Sequence, residues 1–211
     1  MMDAVTIEFL KSLNVVPGHY SVDYFEQLYQ RNIILWDRDA PFKELIETIE
    51  KYIKPCKMLD VGCGLGVDAL WFAQKGFTVE AIDIAPSAIE KAKKEKVHTN
   101  LTFRQSDIMT DDQLDKYDLV LDVGCFHHLP KTGRIFAVEK AHSILNESGM
   151  WLSYLARDNA NPMKPLIGLT REEINTMLTG YFNIIELSEV AIVNKNDLAP
   201  LNAWGMLVQK I

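Results

Sequence analysis

The sequence predicts one doubly wound α/β domain: a seven-stranded, mostly parallel sheet with its last strand antiparallel, preceded by a helical segment. Three observations carry this. From Lys57 onward, short apolar runs alternate with segments of helical period, the pattern of right-handed strand–helix–strand crossovers. The first such run ends at Gly62, Gly64 and Gly66, directly before a helix. The last two runs follow one another with no helix between them, which implies an antiparallel pair.

The first 55 residues read as helical, with apolar residues at helical spacing over 23–31 and again over 41–53, where Pro41 suits a first helical position. A connector bearing Trp36 joins them. Strands are then predicted over 57–62, 78–83, 101–107, 117–124, 150–156, 182–192 and 203–211. Helices are expected over 66–76, stopped by Gly76, over 85–96 with Pro86 near its start, and over 132–146, closed by Gly149. Thr170-x-x-Glu173 is a capping box that opens another helix, and Gly180 ends it.

At 211 residues the chain fits a single domain of roughly 150 residues with an appendage. We read 1–45 as a helical lid and 46–211 as the core. Apolar residues at 48% and charged residues at 24% exclude disordered, collagen-like and disulfide-scaffold classes. A net charge of −7 without basic blocks argues against nucleic acid as a partner. Three cysteines, Cys56, Cys63 and Cys125, form no C-x-x-C pair, which fits a reducing compartment and a cytoplasmic location. The opening stretch carries Asp3 and Glu8 and no basic start, so it reads as an amphipathic helix rather than a signal peptide. No apolar run is long enough to span a membrane. A monomer or a homodimer acting on a small molecule is the expectation.

In a doubly wound sheet, ligands bind at the carboxyl ends of the strands where strand order reverses. The three glycines after the first strand suit a nucleotide-type ligand, because glycine admits positive φ and close approach of the backbone. A dinucleotide fingerprint would put glycine or alanine at position 67, which is Val67. That weakens the reading as a nicotinamide-dependent oxidoreductase. Asp83, twenty-one residues after Gly62, closes the second strand and can accept from both hydroxyls of a ribose while repelling a 2′-phosphate. By itself this residue does not separate NAD from S-adenosylmethionine.

The run Leu59-Asp60-Val61-Gly62-Cys63-Gly64-Leu65-Gly66 resembles motif I of the class I S-adenosylmethionine-dependent methyltransferases, and the order and spacing of elements match that family along nearly the whole chain. The resemblance implies a Rossmann-like methyltransferase fold, S-adenosyl-L-methionine as cofactor and no metal. Asp83 matches the acid of motif II, with Ile84 packing on adenine. Asp107 matches the acid that accepts from the adenine amino group, with Ile108 near the ring. Asp122-Val123-Gly124-Cys125 matches motif IV, beside the transferable methyl. The implied cofactor contacts are therefore Trp36, Asp60, Gly62, Cys63, Gly64, Gly66, Asp83, Ile84, Asp107, Ile108, Asp122 and Gly124. The N-terminal segment, with Trp36 followed by Pro41, is similar to the small-molecule branch that includes thiopurine and tellurite-resistance methyltransferases. That branch makes a thiol the favoured acceptor, with oxygen and nitrogen acceptors left open. No N-P-P-Y-type tetrapeptide follows the fourth strand, which removes the usual signature of base and glutamine methylation. A non-catalytic S-adenosylmethionine-binding module is the alternative from another class.

His127 and His128 follow motif IV, and neutral imidazole suits a base or a substrate-orienting group. In an extended segment adjacent residues face opposite ways, so at most one of the two reaches the methyl, with His127 the candidate and packing or capping ahead of the next helix the other reading for both. His19, His98 and His142 are scattered singly and read as solvent-facing or locally satisfied. Arg31 and Arg38 flank Trp36, either to take a substrate carboxylate or as surface residues; Tyr20 and Tyr24 stay undecided. Cys63 and Cys125 read as small apolar residues approached by backbone.

Overall fold

Alternation along the strands decides which helix covers which face of the sheet. The structure, a computed structural model, describes residues 4–13, 21–158, 168–193 and 200–211. In β1 (Lys57–Val61), Met58 turns to one face and Leu59 and Val61 to the other, as the period of two requires. The first face is covered by α3 (Lys43–Tyr52), α4 (Val67–Gln74) and α5 (Pro86–Glu95), through Leu45, Ile49, Phe72 and Ile89. The second is covered by α6 (Lys131–Ile144) and α7 (Arg171–Leu178), through Val138, Ile144, Ile174 and Leu178. Two helices precede these, α1 (Ala4–Ser12) and α2 (Val22–Gln30). Ser21 caps α2 by accepting the Tyr24 N–H.

The remaining strands are β2 (Thr78–Asp83), β3 (Leu101–Gln105), β4 (Tyr117–Val123), β5 (Leu145–Ala156), β6 (Phe182–Ile192) and β7 (Leu201–Lys210). Their order is β3-β2-β1-β4-β5-β7-β6, with β1 to β5 paired in parallel. β7 runs antiparallel between β5 and β6. The seven strands, the antiparallel terminal pair and the doubly wound arrangement are as expected. Strand order reverses between β1 and β4, so the loops after these two strands flank the switch point.

Several boundaries differ from the sequence reading, β3 ending at Gln105 and β7 starting at Leu201 among them. β5 starts at Leu145 rather than Met150: Leu145 pairs with Tyr117, and pairing resumes at Met150 after an irregularity in which Ser148 takes φ 61°. Accordingly α6 ends at Ile144, ahead of Gly149. The expected boundary at residue 45 falls inside α3, whose Leu45, Ile49 and Ile53 pack in the main core. Thr170 and Glu173 form the expected capping box. His19 and Tyr20 lie outside the described residues.

Candidate functional site at the switch point

Immediately after β1 the chain enters three left-handed conformations, at Gly62 (φ 69°), Gly64 (54°) and Gly66 (74°). Space forbids a side chain at all three as well, a Cβ on Gly62 standing 2.9 Å from Cys125 Cβ. A Cβ on Gly66 would stand 2.5 Å from the Phe103 ring, and one on Gly64 would stand 2.9 Å from the Tyr29 hydroxyl. The loop is held by its neighbours: Cys63 N–H donates to the Ile82 carbonyl at 2.9 Å, and Gly64 N–H donates to Asp83 Oδ2 at 2.9 Å.

Asp83 ends β2 and is 7% exposed. Its other oxygen accepts the Ala85 N–H at 2.9 Å, ahead of α5. Burial pushes its carboxyl above the usual range, while the Ala85, Gly64 and Ile84 N–H groups pull the other way. Each oxygen keeps acceptor capacity beyond the backbone bond it makes.

Asp60, on β1, is 3% exposed, and its Oδ2 has no hydrogen-bond partner. Burial and the neighbouring Asp68 push its carboxyl well up, opposed by Arg38. Arg38 donates to both oxygens of Asp68, at 2.6 and 3.3 Å, so the connector after α2 is tied to the first turn of α4. These residues, with Ile34, Trp36 and the glycine loop, line a cleft.

Trp36 stands at the cleft wall and donates its indole N–H to the Tyr29 hydroxyl at 3.2 Å. Phe25 packs edge-on against Trp36 and against His128, with ring centroids 5.9 and 5.6 Å apart. Helix α2 is fastened to α5 through Glu26, which accepts from both the N–H and hydroxyl of Ser87.

At the end of β4, Asp122 Oδ1 accepts the N–H groups of Cys125 (2.8 Å) and Phe126 (3.2 Å), and Oδ2 accepts the Ser153 hydroxyl at 2.8 Å. Burial pushes its carboxyl up to about 6, against the pull of those donors. Gly124 takes φ 86°, and the short turn Phe126–His128 follows. Asp107, after β3, accepts the Met109 N–H at 2.9 Å and so shapes its own turn.

The cleft brings together Trp36, Asp60, Gly62, Cys63 and Gly64 of the expected site residues. Gly66, Asp83, Ile84, Asp107, Ile108, Asp122, Gly124 and His127 are not on its wall. Asp83 is nonetheless bonded to the loop, whereas Gly64 is covered by Tyr29, which is 2% exposed. Tyr29 escaped sequence reasoning because it sits at core spacing in an amphipathic helix. Arg38 was weighed as a surface residue, yet its partner lies thirty positions away in sequence.

Comparison with known proteins agrees with this fold. Residues 58–149 match the family model described as a methyltransferase domain. A 2-heptyl-1-hydroxyquinolin-4(1H)-one methyltransferase of Mycobacteroides abscessus is 34% identical over 99 residues, 45% of this chain and 44% of that protein. A ubiquinone biosynthesis O-methyltransferase of Azotobacter vinelandii is 27% identical over 168 residues, 74% of this chain and 69% of the relative. The chain thus spans under half the length of the first relative and about two thirds of the second. Among solved structures, the 1,6-didemethyltoxoflavin-N1-methyltransferase of Burkholderia thailandensis, with S-adenosylhomocysteine bound, superimposes with a TM-score of 0.72 at 20% identity, covering 100% of this chain and 92% of the other. Residues 58–149 thus resemble a methyltransferase domain, and the chain as a whole shares the fold of that solved methyltransferase. No helix among the described residues is long and apolar enough to cross a membrane.

Proposed function

We propose that the protein moves the methyl group of S-adenosylmethionine to a small-molecule acceptor, with the segment ahead of α3 serving as a lid. The observation that carries this reading is Asp83, a buried carboxylate tied to the glycine loop through Gly64 N–H at 2.9 Å at the edge of the switch point. It retains acceptor capacity for the two hydroxyls of a ribose. The glycine loop, left-handed at Gly62, Gly64 and Gly66, suits a ligand that needs close backbone approach. In this reading Ile84 and Ile108 flank the adenine, Asp107 accepts from its amino group, and Asp60 with its free Oδ2 lies toward the charged end of the cofactor. Trp36 closes the cleft, while Asp122 and Gly124 border the methyl.

S-adenosylmethionine supplies, when bound, a methyl already activated on a sulfonium, so the protein needs no metal or covalent intermediate. The chain's own task is to align the acceptor and keep water out. Tyr29, Phe25 and Trp36 form an aromatic wall suited to exclude water. For the acceptor atom we take sulfur, or an acidic oxygen in keeping with the O-methyltransferase relative, since both attack without a strong base. A cytoplasmic location and an acceptor other than nucleic acid complete the reading.

The test is methyl transfer from labelled S-adenosylmethionine to a panel of thiols, phenols, N-hydroxy heteroarenes and amines. Labelled product from a thiol or an acidic hydroxyl is expected. Binding of the cofactor without turnover across the panel would favour the non-catalytic module instead.

A further inference from the structure

The turn that follows β4 fixes where one proton sits. His127 is 5% exposed, and its Nδ1 lies 3.3 Å from the backbone nitrogen of Ala156, at the end of β5. A backbone N–H can only donate, so Nδ1 must be the acceptor and cannot itself carry a proton. The hydrogen of the neutral ring is therefore on Nε2. The turn cannot easily rotate the ring away. Asp122 accepts the N–H groups of Cys125 and Phe126 at its start, and Arg134 of α6 donates to the His127 carbonyl at 3.2 Å. Burial, with His128 and Arg134 close by, holds the imidazole well below its ordinary range, so it stays neutral.

A ring with Nδ1 occupied and Nε2 protonated offers a donor and no lone pair. It cannot take a proton from an acceptor. The ring edge at Cε1 stands 3.7 Å from where a Cβ on Gly124 would be, so this donor abuts the strand end that the proposed function places beside the methyl. Of the other titratable groups at that strand end, burial holds the Cys125 thiol well up and the His128 imidazole, its ring 4.3 Å from that of His127, down to about 4, while Asp122 already accepts three donors: Cys125 N–H, Phe126 N–H and Ser153 O–H.

Resting on the proposed function, we infer that His127 is a positioning donor rather than a base, and that the physiological acceptor is an acidic small molecule that arrives already ionised, a thiolate, phenolate or N-oxyanion. In the transfer the lone pair of the acceptor anion forms the bond to the methyl carbon. The carbon–sulfur bond breaks with its electron pair going to sulfur, the negative charge of the acceptor cancels the positive sulfonium, and no proton passes through His127. An N–H donor toward the anion holds it in line, since hydrogen bonds to charged groups are the stronger ones.

Two readouts test this. Long-range proton–nitrogen NMR of the full chain labelled at histidine nitrogens, assigned against His127→Asn, should show Nε2 protonated and Nδ1 bare between about pH 6 and 9. A protonated Nδ1, or a ring that titrates in that interval, would overturn the inference without any assay of activity. With any thiol or phenol that turns over, the midpoint of the kcat/KM profile should follow the acidity of the acceptor and be the same in His127→Ala. The rate in that variant should fall about tenfold or more, and His127→Asn, which keeps a side-chain N–H, should recover part of it. A midpoint that is fixed across acceptors and vanishes in His127→Ala would make His127 a base. If no acceptor turns over, the methyltransferase reading fails, while the NMR result still decides the position of the proton.

Discussion

The hydroxyl of Tyr29 stands 2.9 Å from where a Cβ on Gly64 would lie and accepts the indole N–H of Trp36 at 3.2 Å. The lid helix thereby lays one polar atom directly on the glycine loop. Because the oxygen is occupied by an incoming donor, its own O–H is free to donate in turn. Tyr29→Phe keeps the ring and removes only that group. Affinity for S-adenosylhomocysteine should fall about five- to tenfold, the worth of one hydrogen bond, with the melting temperature little changed. Titration calorimetry and a thermal melt check this; equal affinity would leave Tyr29 a packing residue.

Asp83 makes the sharper case. Asp83→Ala removes the acceptor of Gly64 N–H and Ala85 N–H together with the proposed ribose contact. Binding of S-adenosylhomocysteine should weaken by more than about tenfold, since bonds to a charged group are worth roughly 1.5–3 kcal/mol. Unchanged affinity in a folded variant would place the ribose elsewhere.

Asp122 predicts a pH signature. Burial raises its carboxyl from 3.8 in the unfolded chain to about 6 in the fold. The folded state thus holds this proton more tightly, and the stabilisation is complete below the unfolded value. It is lost as pH rises from about 4 through 6, amounting to about 3 kcal/mol for a shift of this size. Asp122→Asn can still accept from Cys125 and Phe126 and can donate to Ser153. Denaturant melts across that interval should show a flatter dependence for the variant, and greater stability than the parent at pH 7.5. An unchanged slope would contradict a raised Asp122.

Gly66 is fixed by backbone and by space. A Cβ there would meet Phe103 at 2.5 Å, on a residue at φ +74°. Gly66→Ala should cost about 2–3 kcal/mol in urea unfolding. Adding Phe103→Leu should recover part, the steric share, and leave the share due to φ. A loss of under half a kcal/mol in Gly66→Ala would mean that the loop has other conformations at little cost.

The sheet was legible because its strands are apolar runs bounded by glycine and helix, and Asp83 was legible because an acid at the end of the second strand has one natural neighbour. What escaped was whatever depends on a distant partner. Phe25, Leu28 and Tyr29 share one face of α2, and spacing alone does not tell the core leucine from the tyrosine laid on Gly64. Arg38 looks solvent-facing until Asp68 is brought beside it. The early start of β5 hid inside the helix expected over 132–146 and its Gly149 stop, although Leu145 already pairs with Tyr117. His127 was legible as a histidine after the fourth strand, but the hydrogen bond its Nδ1 accepts from Ala156 N–H needs the fold.

The most direct test of the central claim is calorimetric titration of the purified protein with S-adenosylhomocysteine, run beside NAD. The account predicts saturable binding of S-adenosylhomocysteine with one site per chain, weakened in Asp83→Ala, and none for NAD. Binding of NAD alone would contradict the assignment of the Gly62–Gly66 loop.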